Sequence, residues 1–253
     1  MSKSKLNNER NQHLVMGSHT IEGLVRHTPE RIIKAYHLRS SEKAQERKQK
    51  LLSDLQHLNV PMQACSKNEL DKLCESSSHQ GIVAVLKNRE PLDLKSFIKE
   101  NETKLVVVLD SIYDPHNLGA ILRASECFGV GVIIWSKNRS APLSPVVTKT
   151  SSSASEFAPI HIVSNVSTTL DKFIKAGYTL IGAQISEDSQ NLFSYKFPDR
   201  SVLILGSEGE GIRALLQKKL DASVAIPMHG KIDSLNVSQA AALCIGVWSS
   251  QQA

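Results

Sequence analysis

The chain has 253 residues, 41% hydrophobic and 5% aromatic, which excludes a disordered chain and leaves the core to Val, Ile, Leu and Ala. Its net charge of +5 lies wholly in residues 1–100, which hold 17 Lys and Arg against 12 Asp and Glu, while residues 101–253 hold 13 of each. Cys65, Cys74, Cys127 and Cys244 form no C-x-x-C pair, which argues against zinc ligation and for free thiols, and no apolar run reaches the ~18–20 residues of a membrane span.

Residues 1–11 are polar and read as a mobile tail without the apolar region of a secretory signal, so a cytoplasmic protein is expected. The N-x-[ST] sequons at Asn101, Asn138, Asn165 and Asn236 are then chance matches. A helix is expected within 16–27, and a strand over Arg31–Leu38, where Ile32, Ile33, Ala35, Tyr36 and Leu38 cluster. Leu51, Leu52, Leu55 and Leu58 recur at helical spacing within the charged stretch 41–58. A short strand at 60–64, a short helix at 67–75 and a buried strand at 81–86 complete this first part, 12–87.

Residues 88–103 are polar, contain Pro91 and read as a linker with room for one short helix. From 104 to 253, strands at 105–110, 131–135, 160–163, 178–184, 201–206 and 223–227 are separated by helices at 116–128, 167–176, 211–219 and 238–249. The fold class is α/β, and this alternation implies a mostly parallel sheet covered on both faces.

Three segments follow strand ends, where α/β sheets bind ligands. In the first, 109–129, Asp110 ends a strand, a turn carries Asp114, Pro115 and Asn117, and the helix bears Arg123, six residues after Asn117. Taken alone it also reads as a capped helix with a salt-bridged Arg. In the second, 203–212, Gly206, Gly209 and Gly211 follow a buried strand in the order G-x-x-G-x-G, not G-x-G-x-x-G. Glu208 and Glu210 beside them would repel a pyrophosphate, which argues against a dinucleotide-dependent oxidoreductase. In the third, 226–243, a loop with Gly230, Ser234 and Asn236 precedes a small-residue helix. Ser238 is the expected cap of that helix, leaving Asn236 free for a ligand.

Asn117-Leu-Gly-x-x-x-Arg123, Gly206-x-Glu208-Gly-x-Gly211 and Ser234-Leu-Asn-Val-Ser238, in this order and spacing, resemble the three motifs of the SpoU family of RNA ribose methyltransferases within the SPOUT superfamily. The first part is similar to the family's small ribosomal-protein-like substrate-binding domain, where Gly17-Ser-His19 and His79-Gln80-Gly81-Ile82 match. The two-part layout is most similar to bacterial enzymes that methylate a guanosine ribose in large-subunit ribosomal RNA. One departure is the serine-rich stretch Thr150–Ser155, where relatives often carry a glycine.

The resemblance implies a SPOUT domain with a carboxyl-terminal trefoil knot, an exception to the unknotted rule, and a homodimer formed through it. It implies S-adenosylmethionine as methyl donor, no metal, and RNA, with ribosomal RNA ahead of transfer RNA, as substrate. It also implies roles for residues. Arg123 would be the base or the stabiliser of the developing alkoxide, the second being favoured because a guanidinium keeps its proton; Asn117 would orient Arg123 or the ribose, and Glu208 would hold a donor. Ser234 and Asn236 would hydrogen-bond near the methionine or ribose part, and backbone groups of Gly206, Gly211, Ile226 and Leu235 would hold the cofactor. His79 is a weaker candidate for RNA contact, set against a capping or core role. A non-catalytic RNA-binding protein of the same fold is the alternative; loss of Arg123 or of the Ser234–Asn236 pair would mark it, and the sequence keeps them.

Overall fold

The computed structural model describes residues 11–39, 46–90, 92–100 and 104–252. The tail expected at 1–11 lies, apart from Asn11, outside these residues, as do positions 41–45 of the helix expected at 41–58. The chain forms two compact units, one of Met1–Glu90 with Ser144–Glu156 and the other of Pro91–Leu143 with Phe157–Ala253. No helix among the described residues is long and apolar enough to cross a membrane.

The first unit has a four-stranded sheet of β1 (Gln12–Met16), β2 (Ile32–Leu38), β3 (Met62–Cys65) and β4 (Ile82–Lys87) in the order β1-β4-β2-β3. Only β2 and β3 are parallel. Helices α1 (Ser18–His27), α2 (Glu46–His57) and α3 (Lys67–Cys74) alternate with these strands. Ile21 and Leu24 of α1 and Leu51 and Leu55 of α2 are buried at helical spacing. Ser66 starts α3 with a capping box, exchanging bonds with Glu69. The two stretches resembling the substrate-binding domain meet here: Gln80 Oε1 accepts the Ser18 N–H at 3.0 Å. His79 is buried, with Nε2 2.9 Å from Asp71 Oδ1 and Nδ1 accepting the Gly81 N–H at 2.8 Å. Both ring nitrogens are therefore committed inside the unit, which supports its core role.

Helix α6 (Pro145–Thr150) and a turn at Ala154–Glu156 belong to this unit although they follow it by more than fifty residues in sequence. Glu156 anchors them: its carboxylate lies 3.0 Å from His13 Nε2 and 2.8 Å from Arg31 Nη2, with both its own and the Arg31 side chain largely buried. The serine-rich stretch keeps a glycine-like backbone, since Ser152 (φ 50°) and Ser153 (φ 77°) are left-handed.

The second unit holds a seven-stranded sheet, all of whose pairs are parallel: β7-β6-β5-β10-β8-β11-β9. In chain order these are β5 (Val106–Leu109), β6 (Val132–Ser136), β7 (Ile160–Val163), β8 (Thr179–Ala183), β9 (Gln190–Asn191), β10 (Ser201–Leu205) and β11 (Ala222–Ala225). Every residue of β5, β6 and β10 is buried, as expected of central strands covered on both faces. Helices α4 (Leu94–Glu100), α5 (Pro115–Cys127), α7 (Val166–Lys175), α8 (Ala214–Gln217) and α9 (Val237–Ser250) complete it. Within the stretch 88–103, expected as a linker, Leu94 and Phe97 of α4 enter the core beside Val106, Val132 and Phe173.

Three elements were not expected from sequence: β1, α6 and β9. The helix expected at 211–219 is only the four-residue α8, because the residues before it are spent in a loop.

Candidate active site

The strand order sets β5 beside β10, so the loops leaving their carboxyl ends are neighbours. On the β5 side, Asp114 caps α5 by accepting the His116 N–H at 2.8 Å, and Pro115 takes the first helical position. This fixes Asn117 in the first turn. On the β10 side, Ser207 and Gly211 exchange two backbone bonds of 3.1 and 3.0 Å, closing a small loop. Gly206 has no room for a side chain: a Cβ there would lie 2.1 Å from the carbonyl carbon of Gly211. The loop thus turns Glu208 outward.

The third loop ends at Asn236, and here the structure corrects the sequence reading. Asn236, not Ser238, caps α9: its Oδ1 accepts the Ser238 N–H at 2.8 Å and the Ser238 hydroxyl at 2.6 Å. An Asn side chain reaches the amide two residues on, and the Asn236 carbonyl already accepts from Ala240. Capping does not consume the residue. Asn236 Nδ2 donates to Asn117 Oδ1 at 2.9 Å and to Glu208 Oε1 at 2.7 Å. Glu208 Oε1 also accepts from Asn117 Nδ2 at 3.1 Å and the Val237 N–H at 3.3 Å. One carboxylate oxygen therefore ties three strand-end loops together, and charged acceptors make the stronger bonds.

Other expected residues lie apart from this trio. Ser234 is exposed and bonds to Asp233 Oδ1 at 3.1 Å. Arg123 is exposed, and six helical residues turn it about 240° from Asn117. Its guanidinium has no hydrogen bond or ion pair among the described residues, unlike the salt-bridged Arg of the plain capped-helix reading. Gly211 (φ 66°) has open space where a Cβ would stand. The N–H groups of Ile226 and Leu235 have no partner among the described residues, and Leu235 is 37% exposed. Unpaired backbone N–H groups of this kind are able to donate to acceptor atoms of a ligand.

Sequence reasoning missed Arg213. Its Nε and backbone N–H donate to Asp110 at 2.7 and 3.0 Å, and its Nη2 lies 2.6 Å from the same carboxylate. Asp110 is buried at the end of an apolar strand, a signal that a cation must stand nearby, but the partner is 103 positions away.

Residues 104–246 match the model of the SpoU rRNA Methylase family, and residues 14–92 match that of the RNA 2'-O ribose methyltransferase substrate binding domain. The chain belongs to the SpoU family. Among SpoU relatives, the 23S rRNA (guanosine-2'-O-)-methyltransferase RlmB of Vibrio parahaemolyticus is 34% identical over 91% of this chain and 94% of its own. RlmB of Coxiella burnetii is 35% identical over 91% and 92%. The SpoU methyltransferase AviRb of Streptomyces viridochromogenes, solved with the cofactor AdoMet, superposes with a TM-score of 0.77 at 22% identity, covering 99% of this chain and 94% of that one. That likeness shows a shared fold.

Proposed function

We propose that this chain transfers a methyl group from S-adenosylmethionine to the ribose 2'-hydroxyl of a guanosine in 23S ribosomal RNA. The observation that carries the reading is the convergence of the three motif loops on one hydrogen-bonded trio, Asn117–Glu208–Asn236. The SpoU assignment, the substrate-binding match over 14–92 and the names of the RlmB relatives support it.

Backbone groups of Gly206, Gly211, Ile226 and Leu235 would hold the cofactor, which supplies an activated sulfonium methyl when bound. The protein must then position a weak nucleophile and manage its charge. Arg123 acts as a cation on the oxygen, stabilising negative charge as it develops; a guanidinium keeps its proton and is a poor base. Its free, exposed state suits a group that waits for RNA. Asn117, Glu208 and Asn236 keep the loops in register, and Ser234, exposed on the third loop, would hydrogen-bond the methionine or ribose part. The basic part at 12–87 captures RNA through its phosphates, and the part from 104 to 253 performs transfer. The working form is a cytoplasmic homodimer, joined through the second part and its carboxyl-terminal knot.

The test is incubation with methyl-labelled cofactor and 23S rRNA, followed by digestion and mass analysis of nucleosides. Label in 2'-O-methylguanosine is expected. Label on a base refutes the reaction class, and label confined to a transfer RNA control refutes the substrate.

A further inference from the structure

Outside the trio, an ion pair between a buried carboxylate and a partly exposed guanidinium joins the same two loops. Asp110 is 1% exposed and directly follows β5; Arg213 directly precedes α8. We propose that the Asp110–Arg213 pair is a positioning clamp that sets the glycine-rich loop so that Glu208 meets its three donors; this rests on the site reading given above.

The loop needs such a clamp. Gly209 (φ 85°) and Gly211 (φ 66°) lie between its ends, with nothing near their Cβ positions, so its own side chains do not stiffen it. The bridge between Ser207 and Gly211 closes the loop on itself without tying it to the β5 side. Ile212 is buried and sets its depth, but an apolar contact is non-directional and leaves rotation free. Helix α8, with four residues, is too short to anchor what precedes it. Arg213 supplies direction. Nε at 2.7 Å and Nη2 at 2.6 Å grip one carboxylate, and the backbone N–H adds a third bond at 3.0 Å.

Asp110 and Asn117 leave the same strand end, and Arg213 and Glu208 belong to the same loop. Asp110–Arg213 and Asn117–Glu208 are therefore two rungs between one pair of segments. A single rung lets the loop swing about it; two fix its orientation. Removing the cation would leave the Asp110 carboxylate buried without its charge partner, which is costly, so the pairing is held.

The experiment is a double-variant cycle on the full chain: Arg213→Ala, Glu208→Ala and both together, with Arg213→Lys as the conservative variant. Folding is checked by thermal melting, and single-turnover methyl transfer and calorimetric S-adenosylmethionine affinity are read well below the melt. Arg213→Ala slows transfer by on the order of tenfold to a hundredfold, the scale of a small misplacement. Arg213→Lys keeps the charge without the fork and falls in between. In the Glu208→Ala background, Arg213→Ala adds less than about a factor of two, because the clamp acts through Glu208. If the two effects multiply, or folded Arg213→Ala transfers at the normal rate, the clamp is overturned while the site stands. If Glu208→Ala alone transfers normally, the site reading fails and the clamp with it. Should Arg213→Ala not fold, the same cycle run with Arg213→Lys decides the matter.

Discussion

Asn236 and Glu208 meet at 2.7 Å through the amide nitrogen of one and a carboxylate oxygen of the other, while the oxygen of the same Asn236 amide starts helix α9. The two ends of one side chain serve two purposes, and substitution can separate them.

Asn236→Ser keeps an oxygen for the cap and removes the amide that reaches Glu208. Ser and Asn are near-equal caps, so stability stays within about 0.5 kcal/mol, whereas Asn236→Ala loses about 1 kcal/mol. Methyl transfer falls at least tenfold in both. Melting curves beside transfer rates give the comparison; a Ser variant of normal rate would sink the bridging role.

Arg123→Ala removes an exposed side chain without a partner among the described residues, so stability changes by less than about 0.5 kcal/mol. Cofactor affinity is retained, and the transfer rate drops by about 10²–10³, the usual cost of losing one oxyanion-stabilising donor. Calorimetry and single-turnover rates on the same preparation check both halves.

Glu156 and His13 give the first unit a pH dependence with two edges. Burial pushes the Glu156 carboxyl up, but its bonds to His13 and Arg31 outweigh this and hold it below its ordinary 4.5. Burial pushes His13 down, and Glu156 outweighs that, holding it above 6.5. The Glu156 contribution is in force above about pH 4.5 and is lost as pH falls through the lowered value. The His13 contribution is full below about pH 6.5 and is lost as pH rises through the raised value. Melting of the parent and His13→Gln across this range should differ most between the two limits and converge at alkaline pH. Glu156→Gln, which leaves the Arg31 guanidinium buried without its carboxylate, costs about 3 kcal/mol at any pH in the window.

Ser153 carries two unfavourable features: a left-handed backbone and a buried hydroxyl without a partner among the described residues. Ser153→Gly relieves both and raises stability by about 1 kcal/mol, visible as a melting shift of ~2–4 °C. A lower melting temperature would show that the hydroxyl is satisfied.

What could be read from sequence follows burial. Strands β5, β6 and β10 are apolar throughout because both faces are covered, and such runs are visible in any window. Strand β1 is a five-residue edge strand whose pairing with β4 lies more than sixty residues away, beyond any local pattern. The motif residues Asn117, Glu208 and Asn236 were legible as types at loop positions, but the double use of Asn236 was not, because Asn236 and Ser238 are both good caps and only geometry decides between them. Arg213 stayed hidden for a related reason: in sequence it is one more cation before a short helix, and only the sheet order brings Asp110 to it.

Strand β10 lies between β5 and β8, both made before it. A growing chain that has reached β8 therefore has a gap in its sheet, to be filled from a later stretch, and Asn236 emerges later still. Any product cut short before that residue lacks a corner of the trio. The three-loop junction is thus completed only when nearly the whole chain has been made, and the sheet's centre is closed only by a late strand.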